Sequence, residues 1–63
     1  MDPINLLERA LSEQIARFKD EITNGAAGDF ADYRHQCGVV QGLERALREV
    51  FDLKQRMKEA DEQ

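Results

Sequence analysis

The sequence predicts an all-α protein: an antiparallel two-helix hairpin, coiled-coil-like, completed by oligomerisation or by a partner. Three observations predict it. Apolar residues recur at steps of three and four along two stretches of the chain. A small segment, Gly25-Ala26-Ala27-Gly28, separates those stretches. The chain has 63 residues, one cysteine and one histidine. Neither an intrachain disulfide nor a Cys/His zinc site can therefore reinforce what must be a small core. By elimination, association is the reinforcement. A single helical-hairpin domain spans residues 1–63, with a helix at 3–23, a turn at 24–29 and a helix at 30–60.

The first helix starts at Asp2, whose carboxylate suits the cap, and at Pro3, which suits the first helical position because it lacks an N–H. Ile4, Leu7, Leu11, Ile15, Phe18 and Ile22 then line one face. Ile4 to Ile15, Leu7 to Phe18 and Leu11 to Ile22 are each eleven residues apart, a period that favours a nearly straight seam. Thr23-Asn24-Gly25 ends the helix, with Gly25 free to take the left-handed conformation.

Asp29 caps the second helix and Asp32 adds negative charge to its first turn. Its apolar positions are Phe30, Tyr33, Cys37, Val40, Leu43, Leu47, Val50, Phe51 and Met57, with Val39, Ala46 and Leu53 widening the stripe. Glu13 with Arg17, Glu44 with Arg48 and Asp52 with Arg56 are favourable pairs four apart on the outer faces. The last residues, Asp61-Glu62-Gln63, are expected to fray. A single helix running through the glycines is the structural alternative, and the capping aspartate opposes it.

A fold-back at Ala26 and Ala27 brings Ile22 level with Ala31, Ile15 with Gly38, Leu11 with Gly42, and Ile4 with Glu49 and Val50. The second helix is the longer, about 46 Å against roughly 31 Å. Its end therefore overhangs the first, and Phe51, Leu53 and Met57 there form an expected partner-binding surface. Gly38 and Gly42 each cost about 1 kcal/mol of helix propensity. Close packing of Leu11 and Ile15 onto them would compensate. A close contact between subunits is the second reading. The same spacing serves membrane helix dimers, but Arg34, Glu44 and Arg45 beside it exclude that use. Phe18, Phe30 and Tyr33 are expected to plug the core at the turn, the other reading being an aromatic hot spot for a partner.

Chemistry finds few footholds. Cys37 and His35, two apart on a helix, point about 200° away from each other and cannot act as nucleophile and base. Asp32 and His35 could share a face, but no second ligand pair accompanies them. A hairpin this thin leaves no room for the roughly 300 Å³ that ligand sites need. No enzymatic activity, cofactor or metal is expected. Net charge is −4, with six acids against three bases up to Asp29 and seven against six beyond it. Bases interleaved with acids, among them Arg34, Arg45, Arg48 and Lys54, build no basic stripe, which argues against direct nucleic-acid binding. No apolar run approaches the roughly 20 residues of a membrane span. Met1-Asp2-Pro3 does not begin like a signal peptide, so a cytosolic origin and a reduced Cys37 are expected.

The stretch Asp29–Leu43 carries Tyr33, then Cys37-Gly38-Val39-Val40, then Gly42-Leu43. In this it resembles a family of small proteins encoded by tailed bacteriophages, over about half the chain. That resemblance implies an origin, and with it a host-cytoplasm or virion location. It implies no activity. The expected function is protein–protein interaction by a structural or assembly component of the virion. The alternative is an acidic accessory protein that binds and inhibits a host nucleic-acid enzyme.

Overall fold

A computed structural model describes residues 2–25 and 27–62 of the chain. It is an all-α hairpin of two helices, α1 at Pro3–Thr23 and α2 at Phe30–Glu62. Met1, Ala26 and Gln63 lie outside the described residues, so the expectations for the Ala26 fold-back and for Gln63 are not addressed.

Local chemistry explains the helix ends. Asp2 Oδ1 accepts a hydrogen bond from the Ile4 N–H at 2.9 Å, and Pro3 opens α1. The Asn24 N–H donates to the Asp20 carbonyl at 2.9 Å and the Gly25 N–H to the Ile22 carbonyl at 3.1 Å. Gly25 has φ 74°, the left-handed conformation that lets a chain leave a helix without strain. Asp29 Oδ1 accepts from the Asp32 N–H at 2.8 Å and caps α2. The expected boundaries hold for α1. α2 continues through Glu62, two residues past the expected end at 60.

The level at which the helices meet differs from the expectation. Lys54 Nζ lies 2.5 Å from Glu8 Oε2, and Lys19 Nζ lies 3.7 Å from Glu44 Oε1. Ile4 and Asn5 border a furrow with Met57, Lys58 and Asp61, while Ile22 and Thr23 border one with Cys37 and Val40. Relative to the expected pairing, α2 has slid by about nine residues, or roughly 13 Å. The longest dimension is 52 Å, hardly more than the roughly 50 Å of α2 alone. So α1 lies wholly alongside α2, and the overhang is at the other end, over Phe30–Gln36.

The reason is burial. In this alignment Ile22 comes level with Val40, Ile15 with Leu47, and Leu11 with Val50 and Phe51. The expected alignment would have set Ile15 and Leu11 against glycines, with far less apolar surface to cover. Ile15, Val40 and Val50 are the buried apolar residues among those described.

A double-mutant cycle on Glu8 and Lys54 checks this alignment. The pair is part-exposed, so thermal unfolding should give a coupling below about 1 kcal/mol but clearly above zero. No coupling would mean that the helices meet at another level.

Candidate functional site

One helix turn takes 3.6 residues, so each residue steps about 100° around the axis. Around α1, with Ile15 at the centre of the seam, Leu7, Ala10, Leu11, Gln14 and Phe18 fall to one side. Asn5, Glu8, Ser12, Lys19 and Thr23 fall to the other. Around α2, Val39, Leu43, Ala46, Val50, Leu53 and Met57 fall to one side of the seam. Tyr33, Cys37, Gln41, Glu44, Phe51 and Gln55 fall to the other. The furrow between Lys19, Thr23, Cys37, Gln41 and Glu44 joins the two polar sides. The apolar sides of the two helices therefore face together, except that Met57 also borders a furrow with Ile4, Asn5 and the ion-paired Lys54.

The hairpin thus has two unlike flanks. The polar one carries Glu8–Lys54 and Lys19–Glu44. Apart from Lys54, which the same rotation sets in the seam between Leu47 and Leu43 and which reaches across to Glu8, the apolar one has no charged residue between Leu7 and Phe18 on α1 or between Val39 and Met57 on α2. Arg17, Glu21 and Glu49 stand along its margins. It is also uncovered: Leu7 is 47% exposed, Leu53 42% and Met57 44%, while Phe18, Val39, Leu43 and Ala46 are half-buried.

The expected partner-binding residues are therefore exposed, but not on an overhang. Phe51, Leu53 and Met57 lie alongside the first half of α1. Leu53 and Met57 share the apolar flank with Leu7, which was expected in the seam. Phe51 falls on the polar flank. The most exposed large apolar side chain is Phe30, at 72%, and its ring lies 6.4 Å from that of Tyr33 in a stacked arrangement at the start of α2. The core plug expected from Phe18, Phe30 and Tyr33 does not form, since the slid alignment puts Phe18 level with Leu43 and Glu44, well down α2.

The glycine expectation is also corrected. Gly38 and Gly42 are exposed, and a methyl group added to either would meet nothing within 4 Å. Leu11 and Ile15 do not pack on them. Nor do the expected outer pairs close. Among the described residues Glu44 reaches across to Lys19 and not along α2 to Arg48, and neither Glu13–Arg17 nor Asp52–Arg56 comes within 4.0 Å.

Cys37 is a half-buried free thiol. One turn away, Tyr33 has its phenol held above the ordinary tyrosine range, first by hydrogen bonding with Cys37, then by its charge, and least by desolvation. The side-chain amide oxygen of Gln36, Oε1, is buried with no hydrogen-bond partner among the described residues. Among those residues no three His, Cys, Asp or Glu side chains gather to hold a metal ion, and no helix is long and apolar enough to cross a membrane. Furrows of about 300 to 410 Å³ run along the hairpin. That is more volume than the sequence suggested, but they are open troughs between side chains, not enclosed cavities.

No family model, no curated protein and no solved structure matches the chain.

Two outcomes follow from this geometry. Gly38→Ala and Gly42→Ala should each raise the thermal midpoint, by up to about 1 kcal/mol of added helix stability. A loss at either position would mean that another chain packs there. The sole tyrosine reports its own titration, since there is no tryptophan. Tyrosinate absorbance should rise at a higher pH in the folded protein than the ordinary value of about 10, and Cys37→Ala should bring it back down. Because the folded phenol is the weaker acid, its contribution to stability is complete below the unfolded pKa and is lost as pH rises through the folded one.

Proposed function

We propose that this chain is a non-enzymatic protein–protein interaction module that serves as a structural or assembly component of a phage particle. The observation that supports it is the uncovered apolar flank, where Leu7, Leu53 and Met57 remain exposed beside a seam that buries little. Apolar side chains grouped on one side of a small protein mark an interaction surface. Two helices cannot enclose a pocket that would desolvate carboxylates for catalysis, and the troughs between them stay wet. The phage setting rests on the Tyr33, Cys37-Gly38 and Gly42-Leu43 pattern. A host-cytoplasm or virion location belongs to the same reading.

A second reading has one feature of its own. Glu13, Asp20 and Glu21 are exposed on α1, and the chain carries a net charge of −4. A carboxylate-bearing helix of this kind could occupy a host enzyme's nucleic-acid site.

Quantitative mass spectrometry of purified particles decides between them. The structural reading expects a copy number in fixed ratio to a shell, portal or tail protein. Absence from clean particles would remove it and favour the accessory reading.

A further inference from the structure

We infer that the occupant of the apolar flank is a second copy of this chain, seated by a two-fold rotation to give four antiparallel helices. The inference rests on the interaction-module reading and names its first partner.

Area is the first argument. The hairpin exposes 5033 Å². A compact monomer of 7.2 kDa exposes about 4,100 Å². The excess, about 900 Å², is close to the roughly 800 Å² that each partner contributes to a standard interface.

Self-complementarity is the second. Consider a two-fold axis parallel to the helices. It places α1 of one copy over α2 of the other without changing level, and the two run antiparallel, as all neighbours do in an up-and-down bundle. Leu7 then comes level with the stretch between Leu53 and Met57 of the second copy. Phe18 comes level with Leu43 and with Ala46, a small residue opposite a large ring. Leu7–Phe18 comes level with residues 44–55 of the second copy, where the facing side carries Ala46 and Leu53, while Val39 and Leu43 of that copy extend past it toward Glu21 at the margin.

The margins supply the third. Arg17 of one copy and Glu49 of the other fall on the same rim, about one helix turn apart. The rotation repeats this opposite-sign pair on the second rim.

Light scattering during size exclusion, over a micromolar concentration series, tests the proposal. The wild type should elute at twice 7.2 kDa. Leu53→Asp should fall to monomer mass, while Gln55→Asp on the polar flank should leave the mass unchanged. Because Leu53→Asp could unfold the hairpin, the exposed margin gives a second measurement. Arg17→Glu should weaken self-association by about tenfold over the two rims, and adding Glu49→Arg should restore it. A monomer at every concentration, a larger assembly, or a Gln55→Asp variant that dissociates would each overturn the second copy, as would failure of the charge swap. The two readings separate cleanly. A monomer that is still present in purified particles removes the second copy and leaves the module. A dimer absent from particles supports the second copy and removes the particle role.

Discussion

Covering one apolar line on each helix sets the level at which α1 lies against α2. Each large aliphatic side chain taken from water contributes about 1.5 to 3 kcal/mol. The observed alignment gives Ile15 and Leu11 large neighbours, Leu47, Val50 and Phe51, where the tight fold-back would have offered Gly38 and Gly42. The competing term is the connection. The connection uses the same number of residues in either alignment, so stretching it along the axis costs less than the burial gained, and burial wins. The overhang at Phe30–Gln36 is a consequence of this alignment.

A hairpin seam can cover only the centre of each apolar stripe. Here the stripes are wider than the seam, and they widen toward the same side. On α1 the extra width comes from Leu7, Ala10 and Phe18; on α2 it comes from Val39, Ala46 and Leu53. The opposite edges are polar, and they hold both observed ion pairs. Antiparallel geometry makes this sorting meaningful. When two helices run in opposite directions, the same angular side of each faces the same way. Two unremarkable asymmetries in sequence therefore add into one flank.

Local signals were legible in the sequence and the alignment was not. Asp2, Pro3, Gly25 and Asp29 act within a few residues of themselves, and each does what its chemistry requires. Val39, Ala46 and Leu53 were readable as a widened stripe. The pairing of the helices depended on how far along the axis the connection carries the chain, and Gly25-Ala26-Ala27-Gly28 reads as a tight turn by composition alone. That single assumption carried with it the glycine packing, the Phe51–Met57 overhang and the aromatic plug, so all three moved together. The glycines gave a real signal, a propensity cost, but propensity does not say which chain repays it. Glu8–Lys54 was invisible because charges 46 residues apart in sequence become neighbours only once the level is known.

Electrostatics favours the apolar flank over its opposite as the place for the second copy inferred above. A second copy brings the same net charge of −4, so association must keep like charges apart. Docking through the polar flank would strip water from Glu8–Lys54 and Lys19–Glu44, which are already satisfied and gain little by burial. Docking through the apolar flank removes water only from side chains that hydrate poorly. It leaves Glu13 and Asp20 facing solvent, where the screening length is about 8 Å at physiological salt. The arrangement thus separates the work of the two flanks. One flank holds ion pairs that lie level with the buried seam, and the other presents the apolar surface that a single hairpin is too thin to bury.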